Sequence, residues 1–213
     1  MHERNPYWLN TATGRRFNFL HPRAEDIDIV DIAVALSHQA RYAGHTLRHY
    51  SVAEHSVILA DVAVALELDI DTRRWALLHD AAEAYVLDVP WPLKAAGLAR
   101  DLSRVEKAIM ACVVERFELS ATEPAIVKEL DIEILDVEAD ALLVRHEDWP
   151  RGTPSQPRGV LVGCVSPSPL VVSPLEMARW FIDAAIKVHV ADSADLERLE
   201  SLHTARCMRS IAR

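Results

Sequence analysis

The chain has 213 residues, half of them hydrophobic and only six of them glycine. That is enough for one sizeable core, and alanine and leucine runs outnumber β-branched alternation, which favours an all-α fold. A formal net charge of −9 argues against a nucleic-acid polymer as the main partner, because phosphate backbones select basic surfaces. A small phosphorylated ligand stays compatible, since a metal and a few cations can make a local positive pocket. Three widely spaced cysteines, Cys112, Cys164 and Cys207, offer neither a disulfide framework nor a Cys-x-x-Cys zinc pair. Met1-His2-Glu3-Arg4-Asn5-Pro6 is no signal peptide, and the apolar runs are broken by Asp61 or by Pro167, Pro169 and Pro174. No membrane span is expected, and the reading is a soluble, cytoplasmic protein.

In chain order, residues 1–26 read as irregular, with Thr13-Gly14 and His21-Pro22 as turn signals. Asp28 caps a helix over 29–40 whose apolar face holds Ile29, Ile32, Ala33 and Leu36. A polar, aromatic loop follows, Arg41 to Tyr50, the kind of connection in which binding groups sit. Ser51-Val52-Ala53-Glu54 is a capping box opening a helix to about Leu66, and it puts His55 in the first turn. The positive end of the helix dipole there favours a neutral imidazole, the form that ligates metals.

The next helix, over 72–86 with Asp71-Thr72 as cap, carries the most informative stretch: Trp75-Ala76-Leu77-Leu78-His79-Asp80-Ala81-Ala82-Glu83-Ala84-Tyr85. Its alanine, leucine and aromatic residues recur at helical spacing, so the adjacent His79 and Asp80, with Glu83 three residues on, need partners. Burying an unpaired carboxylate costs several kcal/mol or more. A divalent cation answers that cost, because His79 and Glu83, four apart, share a helix face and Asp80 lies within reach of it.

Asp88-Val89-Pro90-Trp91-Pro92-Leu93-Lys94 then reads as a stiff turn in which two prolines stop the helix. Two more amphipathic helices follow, 101–117 and one opened by Glu123-Pro124 and running to about His146. Asp131, Asp136 and Asp140 are the acidic candidates on the second. Residues 150–157 are a loop, and 160–172 a short hairpin or extended crossing. Ser173-Pro174-Leu175-Glu176 caps a helix to about Val190, and Asp192 or Ser193 a last one toward Arg209. The sum is a single domain over 1–213 of six to eight helices. Its core is expected at about 28–147, with the loop and helices of 150–213 packed on it.

Taken together, His55, His79-Asp80 and a carboxylate near residue 131 resemble the H…HD…D pattern of the HD-domain metal-dependent phosphohydrolases. Tyr50-Ser51-Val52-Ala53-Glu54-His55-Ser56 looks like the first-histidine helix of the branch containing bacterial 5′-deoxynucleotidases and phage dATP triphosphohydrolases. His79-Asp80-Ala81-Ala82-Glu83 and Asp88 to Lys94 are similar to its central signature and following turn, and Arg41 with Gly44-His45-Thr46 to its substrate loop. The resemblance covers roughly residues 11 to 146.

The resemblance implies an HD-type helical bundle and a divalent metal ion (Mn, Co, Fe, Zn or Mg) held by His55, His79, Asp80 and Asp131. Asp131 is preferred as last ligand because Lys128 precedes it by three residues, and Asp140 is the rival. Glu83 would orient or deprotonate the attacking water, and Asp88 would contact the sugar hydroxyl or help hold a second ion. Arg41, Lys94 and His45 would bind substrate, while Arg48 or Arg100 could serve a longer phosphate chain. The activity implied is hydrolysis of the 5′-phosphate linkage of a (2′-deoxy)nucleotide, releasing phosphate from a monophosphate or triphosphate from a dNTP. The alternatives are a cyclic-nucleotide or signalling phosphodiesterase and a non-catalytic nucleotide-binding domain of the same fold. The partner expected is thus a small nucleotide, with no membrane. Because the acidic, alanine-rich helices could pair symmetrically and relatives associate, a homo-oligomer is expected too.

Overall fold

The structure is a computed structural model describing residues 7–144, 159–168 and 172–211, with the backbone alone for 205–211. It opens with strands β1 (Trp8–Asn10) and β2 (Arg16–Asn18), antiparallel with Leu9 opposite Phe17. The turn closes through the Gly14 N–H, which donates to the Thr11 carbonyl at 3.1 Å, with Gly14 at φ +87° where a side chain would be strained. A hairpin therefore stands in the segment expected to be irregular, because three-residue strands are too short to show alternation. Of the short hairpin or extended crossing expected over 160–172, no hairpin is seen among the described residues. That stretch instead holds a 3-10 turn at Gly159–Leu161, with Leu161 and Val165 buried, and prolines there remove the donors a ladder needs.

Seven helices of nine or more residues and two single-turn helices follow among the described residues. Helix α1 (Ile29–His38) starts where the Asp28 carboxylate accepts from the Val30 N–H at 2.9 Å. Helix α2 (Val52–Ala65) starts at Ser51, whose hydroxyl accepts from the Glu54 N–H at 3.1 Å. Only half of the expected capping box forms, since the Glu54 carboxylate turns instead to the Arg48 guanidinium at 2.7 and 2.9 Å. Helix α3 (Ile70–Leu78) is capped by Asp69, two residues earlier than expected, which accepts from the Thr72 N–H and hydroxyl at 3.0 and 2.6 Å.

The helix expected over 72–86 is not continuous. After Leu78 the ladder tightens to i−3 bonds, Ala81 to Leu78 at 2.9 Å and Glu83 to Asp80 at 3.0 Å, and regular helix resumes only as α4 (Glu83–Val86). No Gly or Pro marks this break, so periodicity cannot see it. The proline-rich stretch expected as a turn winds into α5 (Trp91–Ala95), with Pro92 in its tolerant first turn. Helices α6 (Arg100–Arg116), α7 (Ala125–Leu142), α8 (Pro174–Lys187) and α9 (Ser193–Ile211) complete the chain, with Ser173 capping α8 and Asp192 capping α9 as expected. No helix among the described residues is long and apolar enough to cross a membrane.

Buried side chains form one continuous cluster that extends beyond the 28–147 expected to contain it. Phe17 stacks on Tyr85 with ring centroids 4.1 Å apart. Helix α8 packs on both α1 and α2, burying Phe181, Ile182 and Ala185 with Ile32, Leu36 and Leu59. The alanines let the backbones approach closely, and α8 is thereby part of the core rather than a cover on it. By packing α2 against α3 and α7 against both, the core brings the start of α2, the end of α3 and the middle of α7 together. Truncating Phe181 to Ala should destabilise the fold by about 3–5 kcal/mol, as expected for a fully buried aromatic. Urea unfolding checks this, and a loss below about 1 kcal/mol would show α8 to be peripheral.

Candidate metal and phosphate site

His55 is completely buried in the first turn of α2. His79 is the C-terminal cap of α3, and Asp80 follows it in the tightened turn. The His55 and His79 Nε2 atoms face each other at 3.2 Å. Asp80 Oδ2 lies 3.2 Å from the His79 nitrogen and 3.8 Å from the His55 nitrogen. One ligand atom from each of these three residues lies within 4.8 Å of the other two. Asp131 on α7 comes within 3.4 Å of His55 Nε2 through Oδ1, while its Oδ2 accepts from Lys128 at 2.7 Å. It stands on the His55 side of the cluster, outside the tight triad. The rival Asp140 is exposed.

The other face of each ring fixes its tautomer. His79 Nδ1 is 3.0 Å from the Ala76 carbonyl, which can only accept, so that nitrogen carries the proton. His55 Nδ1 is 2.6 Å from Glu138 Oε1. Burial alone would raise the Glu138 carboxyl, but Arg41 and His55 hold it down to about 2. It is therefore an ionised acceptor, and His55 also bears its proton on Nδ1. Both Nε2 lone pairs then point into the same space beside the Asp80 oxygen.

The electrostatics express the same demand for positive charge. Burial disfavours charging His79, yet the Asp80 carboxylate outweighs it and raises the ring to about 9. The His55 ring is raised as well, against burial and Arg41, by Glu138 and Asp131. Two Nε2–H groups cannot point at each other across 3.2 Å. The pair therefore holds at most one shared proton, or gives both lone pairs to a cation. Asp80 and Asp131 are both held well below the usual carboxylate range despite burial, Asp80 first by His79 and Asp131 first by its hydrogen bond to His55. Beside them Glu83, 4 % exposed, is pushed up to about 10 by burial and by the charges of Asp80 and Asp88. Its Oε2 is buried without a hydrogen-bond partner among the described residues. The donor set and this orphaned carboxyl oxygen fit a divalent cation: two imidazoles and carboxylates are what such an ion takes, and its charge would reverse the repulsion that protonates Glu83. His55, His79 and Asp80 could hold a metal ion.

Cations flank the cluster. Arg41 is buried, with Nη1 3.5 Å from Asp80 Oδ2 and Nη2 3.3 Å from Glu138 Oε2. Lys94 on α5 lies 3.6 Å from Glu83 Oε1 and 3.3 Å from Glu106 Oε1. Arg41 sits in a 3-10 turn whose next two residues, Tyr42 and Ala43, have φ of +55° and +51°. Such backbone costs on the order of 1–3 kcal/mol per residue and persists only where neighbours enforce it.

No family model matches the chain. It is 38% identical over 144 residues to the uncharacterized protein YfdR of Escherichia coli K12, a match spanning 67% of this chain and 77% of YfdR. The chain belongs to the family of YfdR. A second relative, the uncharacterized protein RCAP_rcc00048 of Rhodobacter capsulatus, is 38% identical over 126 residues, or 57% of this chain and 63% of the relative.

Not every residue expected in the site of this YfdR-family chain reaches it. His45 is exposed, and its ring makes no hydrogen bond or ion pair among the described residues, so the structure does not bring it to the cluster. Arg48, considered for a longer phosphate chain, is spent on structure: it pairs with Glu54 and donates to the His49 and Ser166 carbonyls at 2.8 and 3.0 Å. Asp88 is half-buried next to Asp80, and burial raises its carboxyl. Trp75 packs, with its Nε1–H on the Ser120 hydroxyl at 2.9 Å, whereas Trp91 is 73% exposed. His146 lies outside the described residues.

Two residues escaped the sequence reading. Gln39 donates to the Glu83 carbonyl at 2.9 Å and accepts from the Asp88 N–H at 3.1 Å, tying both segments to the end of α1. Glu138 occupies a position of the buried row Leu130, Ile134, Leu142, where a carboxylate at i+4 spacing was the available signal. Metal-free protein titrated with Co²⁺ should bind one ion per chain. His79→Ala should weaken that binding by more than the roughly 10–100-fold typical of losing an outer partner. Isothermal titration calorimetry reads it, and unchanged affinity would disprove the site.

Proposed function

We propose that this protein is a metal-dependent phosphohydrolase of the HD-domain type, cleaving the 5′-phosphate linkage of a 2′-deoxynucleotide. The observation that carries the reading is the convergence of two buried imidazole nitrogens on the Asp80 carboxylate, with the buried Glu83 carboxyl alongside and Lys94 within 3.6 Å of it. A mid-series divalent ion, once bound there, polarises a phosphoryl oxygen and acidifies water.

The chain's own residues supply the rest. Glu83 takes the proton of the attacking water through the carboxyl oxygen that has no other partner. The water oxygen bonds to phosphorus as the phosphorus–ester oxygen bond breaks, and the departing 5′-oxygen leaves as the alcohol by taking the proton that Glu83 had accepted. Arg41 and Lys94 bind the phosphoryl oxygens and offset the charge that develops on them. Asp88 accepts from the sugar hydroxyl. With Arg48 committed to Glu54, the reading assigns the phosphate to Arg41 and Lys94, a pair that suits one phosphate better than three.

The test is a panel of deoxynucleoside mono- and triphosphates incubated with Mn²⁺ or Co²⁺, with the released species identified. Inorganic phosphate from a monophosphate is the expected product, and triphosphate from a dNTP would place the protein in the sister activity. Glu83→Gln should keep metal while lowering kcat by about 10²–10⁴-fold, the usual worth of a general base. Turnover that survives Asp80→Ala, or an inert protein across the whole panel with metal bound, would refute the proposal.

A further inference from the structure

Glu138 is fully buried on α7 and takes three hydrogen bonds and one ion pair. Oε1 takes the His55 Nδ1–H at 2.6 Å and the Tyr50 hydroxyl at 2.9 Å. Oε2 takes the Tyr42 hydroxyl at 2.5 Å and faces Arg41 Nη2 at 3.3 Å. Two of these partners belong to the cluster just described and a third, Tyr42, to the strained turn that carries Arg41. We infer that Glu138 is a positioning residue that ties the metal-ligating His55 and the phosphate-binding Arg41 to one carboxylate. It locks His55 with Nε2 free to ligate and holds the left-handed turn against α7. This rests on the functional reading above for the roles of His55 and Arg41, but its geometry concerns the metal-free chain.

The arrangement follows from which groups can only donate. Arg41 has no acceptor, so the oxygen nearest it must remain an oxygen. An imidazole can donate or accept at either nitrogen, and the tyrosine hydroxyls can rotate. In Glu138→Gln the amide oxygen therefore stays with Arg41 and the amide N–H₂ turns toward His55. That forces His55 to accept at Nδ1 and to carry its proton on Nε2, the atom needed for the metal. Tyr42→Phe removes only the tether on the turn and leaves the His55 contact intact.

The experiment is ¹⁵N NMR of the histidine rings in metal-free protein, reading whether His55 Nδ1 carries a proton, together with Co²⁺ titration and steady-state kinetics. In the wild type His55 should be the Nδ1–H tautomer. In Glu138→Gln it should switch to Nε2–H, with Co²⁺ affinity about 10–100-fold weaker. Tyr42→Phe should keep the tautomer and hold Co²⁺ affinity within about twofold, while lowering kcat/KM about tenfold, as loss of one hydrogen bond to a charged group predicts. A merely structural carboxylate would lower stability in both variants without switching the tautomer. Persistence of Nδ1–H in Glu138→Gln overturns the inference, as does an Nε2–H tautomer in the wild type, which needs no variant to fold. A wild type that shows the tautomer yet hydrolyses no nucleotide sinks the functional reading and leaves this one standing.

Discussion

Two imidazole nitrogens facing each other 3.2 Å apart are the contact on which the remaining structure depends. Left to themselves, lone pairs that face each other repel, and so do two N–H groups. The contact is tolerable only with a positive charge between or beside the rings. The surroundings are built for that charge: Asp80, Asp131 and Glu138 are all held ionised although burial opposes it in each. Removing any one partner leaves a buried charge uncompensated, an error worth about 3–5 kcal/mol in other buried pairs. A network of this kind adds little to stability compared with an apolar core.

The fold meets the geometric demand by spending irregular backbone where it matters. A continuous helix through residues 79–82 would keep rising at its regular pitch. The i−3 bonds there turn Asp80 toward His55 while Glu83 begins a fresh turn beneath it. Tyr42 and Ala43 adopt left-handed backbone to bring Arg41 back over the same carboxylate. Both distortions sit on a rigid base, because α8 clamps α1 and α2 from behind with Phe181 and Ile182. Both distortions lie in segments that carry the charged groups of the cluster, while left-handed residues also close other helices at Glu67, Glu118 and His189.

Much of this was legible in the residues and some was not, for physical reasons. Asp28, Ser51 and Ser173 announce their helices because a cap is a local event between neighbours. Asp131 was preferred to Asp140 through a resemblance, a Lys three residues before the acid and the distance from His79, and in the structure Lys128 pairs with Asp131 at 2.7 Å. The break after Leu78 was invisible, since it arises from tertiary demand on His79 and Asp80 and no Gly or Pro encodes it. Glu54 misled in detail: its spacing from Ser51 fits a return hydrogen bond, but Arg48 competes with a full charge and wins. Glu138 was passed over among the acids of α7, although a carboxylate in step with Leu130, Ile134 and Leu142 already contradicted a solvated face.

The central claim is that His55 and His79 ligate one cation together. X-ray absorption on protein loaded with one equivalent of Co²⁺ or Zn²⁺ tests it most directly. The account predicts two imidazole nitrogens at about 2.0–2.1 Å, with the outer-shell ring scattering that identifies them and carboxylate or water oxygens completing the shell. A shell of oxygens without ring scattering, or one containing sulfur, would contradict it.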